Sequence, residues 1–156
     1  MKLRIIAIGR MKAGPEKTLL ETYTKRLTWP IEIIEVEARK GLSGPTLIAA
    51  EEKAIKKVLG PARGQSRALV ALDERGLSLS SRDFAQRLKS LESKGASTID
   101  FVIGGADGLA EELKAAAQTK LSLGAMTWPH MLARALLLEQ LYRAQTILSG
   151  HPYHRD

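Results

Sequence analysis

Two loop segments and the chain's last residues combine side chains that do chemistry with backbone a ligand can approach. In Phe101-Val102-Ile103-Gly104-Gly105-Ala106-Asp107-Gly108-Leu109, three glycines fall within five residues, directly after an apolar run. Missing Cβ atoms let a ligand reach backbone N–H groups, and the helix that follows offers its positive end. The same glycines suit a tight turn that demands positive φ, so this segment leaves both readings standing. The second segment, Leu123-Gly124-Ala125-Met126-Thr127-Trp128-Pro129-His130, is an apolar loop ahead of a long helix. Beside another glycine-rich loop it can enclose a flat heterocycle and offer hydrogen bonds at its edge. All the histidines, His130, His151 and His154, lie after residue 129, and two fall in the tail Gly150-His151-Pro152-Tyr153-His154-Arg155-Asp156. There Tyr153 can stack on a base, Arg155 can pair with phosphate, and a histidine can move a proton near neutral pH. A frayed terminus seldom concentrates these types, and the order is unlike a poly-histidine tag.

Other phosphate and nucleic-acid patterns fail on inspection. Gly9-Arg10-Met11-Lys12-Ala13-Gly14-Pro15-Glu16 has Walker glycine spacing, but Pro-Glu stands where Lys-Ser/Thr is required, so no lysine reaches a phosphate. No G-x-G-x-x-G dinucleotide fingerprint occurs. Gly105-Ala106-Asp107-Gly108 matches a KH-type GXXG, yet it follows an apolar strand rather than joining two helices. With no Cys there is no disulfide framework, zinc ribbon or thiol nucleophile, and no metal is expected.

The elements that must hold these segments alternate along the chain. Lys2–Ile8, Ile31–Glu37, Arg67–Asp73, Thr98–Ile103 and Lys120–Leu123 read as strands. Helices are expected over Glu16–Leu27, Pro45 to Leu59, Ser80 or Ser81 (as cap) to Ser93, Leu109–Gln118 and Pro129–Leu148. Thr127 or Trp128 is expected to cap the last of these, with Pro129 in its first turn. That helix carries Leu132, Leu136, Leu137, Leu138 and Leu141, an apolar face wide enough for burial all round or for a second subunit. Strands separated by helices imply parallel βαβ units and a sheet covered on both faces, in one α/β domain. Ligands in such sheets sit beyond the carboxyl ends of the strands, where both loops fall.

Length and charge fit this reading. The chain has 156 residues, 44% hydrophobic and 26% charged, which excludes disordered and fibrous classes. No apolar run approaches the roughly 18 residues of a membrane span, and MKLRIIAIGR turns polar too soon for a signal peptide, so a cytoplasmic protein is expected. Lys and Arg number 24 against 17 Asp and Glu, a net charge of +7, pointing to a polyanionic partner. Residues 1–60 hold 12 basic and 7 acidic side chains, residues 61–119 hold 8 of each, and residues 120–156 hold 4 and 2. The surplus lies at the two ends, with Lys2, Arg10, Lys12, Lys17, Lys25, Arg26, Arg39 and Lys40 leading it.

FVIGGADGL, then LSLGAMTWPHMLARALLLEQLYRA, then HPYHR, together with the opening MKLRIIAIG, resemble the RlmH (YbeA-like) family of SPOUT methyltransferases over essentially the whole chain. The C-terminal third carries most of that resemblance and residues 38–66 little. Met126 and Trp128 stand where the family varies its apolar residue. The resemblance implies one SPOUT domain over residues 1–156, a parallel sheet flanked by helices. It also implies a deep C-terminal trefoil knot across about 68–148, an exception to the rule that connections do not thread, and a homodimer. It implies S-adenosylmethionine held by Leu72, Gly104, Gly105, Gly124, Ala125, Met126, Thr127, Trp128 and Pro129. Its implied substrate is a pseudouridine of 23S rRNA, methylated at base N3 on the assembled ribosome.

N3 of a uracil-type base is a poor nucleophile while protonated, so the enzyme must align it with the sulfonium methyl and help remove its proton. On this reading one subunit's tail covers the other's cofactor pocket. His154 is the candidate base, Tyr153 orients or stacks on the target, and Arg155 holds a phosphate or an anionic base oxygen. Asp107 is a weaker rival for the base, and His130, at a helix N-terminus that disfavours imidazolium, is expected to be structural. Two other functions are compatible with these residues: an inert ribosome- or RNA-binding factor with a vestigial pocket, and a small-molecule transferase using another cofactor.

Overall fold

In the computed structural model, which describes residues 1–61 and 66–155, the expected alternation is present. The strands are β1 (Lys2–Ile8), β2 (Ile31–Val36), β3 (Arg67–Ser78), β4 (Thr98–Ile103) and β5 (Thr119–Ser122). The helices are α1 (Pro15–Arg26), α2 (Gly44–Leu59), α3 (Ser81–Ser93), α4 (Glu111–Ala116) and α5 (His130–Ser149). Asp156, last of the expected tail, lies outside the described residues.

The strands form one sheet in the order β2-β1-β4-β3-β5, and every pairing is parallel. Parallel strands are buried on both faces, and β1 and β4 accordingly read as nearly unbroken apolar runs. Leu3, Ile5, Val70, Ile99 and Phe101 face α3 and α5, where Leu88, Leu137, Leu138 and Leu141 complete one core. Ile6, Ile8, Ala71 and Val102 point the other way, onto Ile55 of α2 and Leu113 of α4. Period-two alternation thus gives the central strands two cores. The leucine face of α5 is largely consumed within the chain: Leu137, Leu138 and Leu141 are fully buried, while Leu132 and Leu136 remain half-buried.

Two boundaries differ from expectation in ways that shape the site. β3 does not stop at Asp73; it continues to Ser78 through an irregularity between Leu72 and Leu77, beyond which it still pairs with β5. Asp73, Glu74 and Arg75 occupy that bulge, which sets polar side chains at the strand's carboxyl end. α5 begins at His130, with Pro129 as its N-cap in extended conformation and no side-chain cap bond. Thr127 and Trp128 therefore do not cap it: the first ladder bond runs from Ala133 N–H to the Pro129 carbonyl, and the Trp128 indole N–H donates to the Leu123 carbonyl (3.3 Å). A residue preceding proline is held extended, which places the helix boundary after Trp128. By contrast Ser80 caps α3 as expected, accepting from Asp83 N–H at 3.1 Å.

Candidate functional site

The loops at the carboxyl ends of β3, β4 and β5 enclose a cavity of about 530 Å³, within the size range of small-molecule sites. Of the residues expected to hold a cofactor, Leu72, Gly104, Gly105, Gly124, Met126, Thr127 and Trp128 line it. Ala125 and Pro129 do not: both are exposed in the same loop but stand outside the lining. Asp107 is also in the wall.

The glycine loop combines the two roles that its sequence left open. A Cβ on Gly104 would lie 2.7 Å from the Gly108 carbonyl carbon and 2.9 Å from the Leu109 nitrogen, so the turn closes on itself too tightly for any side chain. Gly108 N–H donates to the Gly105 carbonyl at 3.1 Å and completes it. The turn is thus a structural requirement, and the surface it leaves bare is the cavity wall. The 123–130 loop is fixed by short-range bonds: the Ser122 hydroxyl donates to the Gly124 carbonyl (2.9 Å) and accepts from Gly124 N–H (3.2 Å).

Several wall residues carry charge and were not expected there. Asp73, Glu74 and Arg75 come from the β3 bulge, and Lys114 from α4 is held by Glu111 (2.6 Å) and Asp73 (3.5 Å). That bridging holds the Lys114 ammonium above its usual range. The clue in the sequence was Asp73-Glu74-Arg75 just past an apolar strand, the position where ligands gather. Beneath the glycine loop the buried Glu51 carboxyl of α2 would meet a Gly105 Cβ at 3.1 Å. Burial, and then the nearby Asp107 charge, push it above the usual carboxylate range.

His130 lines the cavity at the first turn of α5, where burial and then the Arg134 charge lower its pKa, so it stays neutral near pH 7. Arg134 is fully buried one turn later. It donates to the Ile8 and Gly9 carbonyls (the latter at 2.8 Å) and pairs with Glu35 at 3.2 Å. Glu35 in turn accepts from Met11 N–H at 3.0 Å. The start of α5 is thereby tied to the ends of β1 and β2. No motif points to this anchor; an arginine set among the apolar residues of the helix's first turns was its single trace.

The tail residues form a separate cluster. None of Tyr153, His154 and Arg155 lines the cavity of its own chain. Tyr153 folds back on α5: its hydroxyl lies 3.2 Å from a Glu139 oxygen, and its ring is 4.7 Å from that of Tyr142, edge-on. The Arg143 guanidinium, paired with Glu139, sits 4.9 Å over the Tyr153 ring, and its Nη1 is 3.5 Å from His154 Nδ1. Burial first, then bonding to Tyr23 and the charge of Glu139, push the Tyr153 phenol up to about 12. Arg155 is exposed. Glu139 also lines a smaller pocket of about 290 Å³, which shares Leu121, Leu123, Gly124 and Trp128 with the main cavity. Among the described residues there is no group of three or more His, Asp or Glu able to hold a metal ion, and no helix long and apolar enough to cross a membrane.

Fold and cavity together define an open, parallel α/β protein with its main cavity at the strands' carboxyl ends. The chain belongs to the SPOUT methyltransferase family: the family model described as predicted SPOUT methyltransferase matches residues 1–154. It is 50% identical over 155 residues to the ribosomal RNA large subunit methyltransferase H of Rhodospirillum centenum, covering 99% of each chain. It is 47% identical over 155 residues to the protein of the same name from Paramagnetospirillum magneticum, again covering 99% of both. The solved structure of the SpoU methyltransferase AviRb from Streptomyces viridochromogenes, in complex with the cofactor AdoMet, shares the fold at a TM-score of 0.51 and 13% identity, over 96% of this chain and 59% of that one.

Proposed function

We propose that this chain is an S-adenosylmethionine-dependent rRNA methyltransferase of the cytoplasm that modifies N3 of a pseudouridine in 23S rRNA on the assembled ribosome. One observation carries the reading: three loops far apart in sequence, two of them in segments that carry the family resemblance, converge on a single cavity. The full-length likeness to proteins named ribosomal RNA large subunit methyltransferase H supports the substrate class.

The cavity suits such a cofactor. Leu72, Leu121, Leu123 and Trp128 offer an apolar slot for a heterocycle, and the glycine turn offers bare backbone at its edge. Asp73, Glu74, Asp107 and Glu111 outnumber Arg75 and Lys114 in the wall, which complements a molecule with net positive charge. When bound, S-adenosylmethionine supplies an electrophilic methyl on a sulfonium. The chain's own residues then have three tasks: exclude water, hold the target base, and accept its N3 proton.

The groups suited to the last two tasks are Tyr153, His154 and Arg155, which sit outside the cavity of their own chain. A homodimer in which one protomer's tail closes the other's cavity resolves that separation. Leu77, Met126 and Trp128, exposed by 47%, 74% and 41% near the cavity, support an apolar contact with a second copy. In that arrangement His154 accepts the proton, Tyr153 stacks on or orients the base, and Arg155 holds phosphate or an anionic base oxygen. We read the chain as one SPOUT domain over residues 1–156, its C-terminal part, about 68–148, threaded as a trefoil knot.

The test uses purified protein, methyl-labelled S-adenosylmethionine and ribosomes from cells lacking the endogenous activity, with free 23S rRNA in parallel. Label at one pseudouridine N3, with intact ribosomes only, is expected. Cofactor binding without transfer would move the substrate elsewhere. Neither binding nor transfer would leave an inert ribosome-binding factor.

A further inference from the structure

We infer that the loops following β1 and β2 form the surface that grips the phosphate backbone of the substrate RNA, through Arg10, Lys12, Arg39 and Lys40. This rests on the rRNA methyltransferase reading and adds to it the side from which RNA arrives. Because every strand is parallel, all the strands' carboxyl ends share one rim of the sheet. The rim is divided by charge. Over β4 and β3 it carries the cavity, where Asp73, Glu74, Asp107 and Glu111 outnumber Arg75 and Lys114, while over β1 and β2 it carries these four cations, all exposed.

The basic half touches the cavity's own walls. A Cβ on Gly9, where φ is +92°, would meet Met131 Cε at 3.3 Å and His130 Nε2 at 3.7 Å, so the β1 loop abuts the first turn of α5. A Cβ on Gly105 would meet Ile8 Cγ2 at 3.2 Å, so the glycine turn abuts the end of β1. The loop is also held firmly. Met11 is buried and its N–H donates to Glu35, which Arg134 engages in turn, leaving Arg10 and Lys12 exposed on either side of an anchored residue.

Among the described residues, none of the four cations has a hydrogen bond, ion pair or ring contact, whereas Lys2, Arg4 and Lys56 are each paired with a carboxylate. Glu37 is the acid in this half of the rim with no such engagement. Lys17, Lys25 and Arg26 belong to α1 rather than to the rim, and Lys2 starts β1 at the opposite edge. The basic surplus of residues 1–60 thus divides into a part placed beside the cavity and a part placed elsewhere. A polyanion is drawn to the first half and the cationic cofactor to the second.

The experiment compares three full-length double variants of equal charge change: Arg10→Gln with Lys12→Gln, Arg39→Gln with Lys40→Gln, and a control, Lys89→Gln with Lys94→Gln. Lys89 and Lys94 are exposed and precede β4, at the opposite edge of the sheet. For each, ribosome concentration at half-maximal methylation is measured across a salt series, with affinity for S-adenosylmethionine and thermal midpoint alongside. Each rim pair should raise the half-maximal concentration about ten-fold and lower the salt slope by about 2, with cofactor affinity and melting unchanged. The control should shift it less than two-fold. Equal effects of rim and control pairs, or none, would overturn the assignment while leaving the activity intact. No transfer by the unmodified protein would overturn the methyltransferase reading and the rim with it.

Discussion

The two ends of α5 are built on opposite principles. At its start, Arg134 is fully buried, bonded to two backbone carbonyls and to Glu35, and the adjoining loop is fixed by Ser122 and by its own backbone. At its finish, backbone bonds reach only as far as Gly150 and His151, whose N–H groups donate to the Ile147 and Thr146 carbonyls, and beyond them the tail packs through side chains: Tyr153 on Glu139 and Tyr142, His154 beside Arg143, all at least partly exposed. The first arrangement fixes the start of the helix through buried backbone and ionic bonds and so holds the cavity wall in place. The second is held by a few contacts each worth about 1 kcal/mol, few enough for the tail to take up the position proposed for it. A cofactor common to every cycle suits the first, and a large, variably presented substrate suits the second.

The largest effect should come from breaking the rigid end. Arg134→Met removes every bond of the anchor, and unfolding in urea should show a loss of about 3–5 kcal/mol. A loss under about 1 kcal/mol would mean that packing, not the anchor, seats α5. Next, His154→Ala should cut turnover by about 10²-fold or more while cofactor affinity and stability hold. Near-normal turnover would remove His154 from the proton-accepting role and raise Asp107 in its place.

A smaller effect is expected of Tyr153→Phe, about 1 kcal/mol at neutral pH. It also has a pH signature. The folded phenol titrates at about 12 against an ordinary 10.0, so its contribution is complete below pH 10 and is lost as pH rises towards 12. The Phe variant should lack that alkaline decline; an identical decline in both proteins would assign it to other groups. Smallest is Glu51→Gln. With the folded carboxyl above its usual range, the unfolded chain gives up its proton first, so stability falls as pH rises past about 4.5. The Gln variant should be more stable near pH 7, by up to about 1 kcal/mol, and gain nothing below pH 4. Greater stability at both pH values would point to a packing effect instead.

The alternation of β-branched runs and amphipathic stretches made the parallel sheet legible, because each central strand had to be apolar on both faces. The glycine turn and the apolar loop were legible too, since both follow strands. The β3 bulge was not. Asp73-Glu74-Arg75-Gly76 reads as a turn, and the renewed pairing of Leu77 with Leu121 is a tertiary contact that no local pattern encodes. Neither was the Arg134 anchor, whose partners lie 99 to 126 residues away. Strand order was likewise closed to periodicity, which says that an element is a strand but not which neighbour it takes. The basic count was visible from the start; its division between rim and remainder needed the topology.

Asp100 is 2% exposed in the middle of β4, where it accepts from Arg4 of β1 at 2.6 Å and from Arg67 of β3 at 2.8 Å. Its partners belong to strands begun far earlier in the chain. While the protein is being synthesised, β1 has β2 as its only available neighbour until residues 98–103 emerge, since β4 is what joins it to β3. The nascent N-terminal half therefore carries an open edge on β1 until β4 emerges, and β1, β4 and β3 can join only once the strand that bears Asp100 is made. Such long-range closure makes for slow folding, and a chain interrupted before Asp100 would expose the very strands that later form its centre.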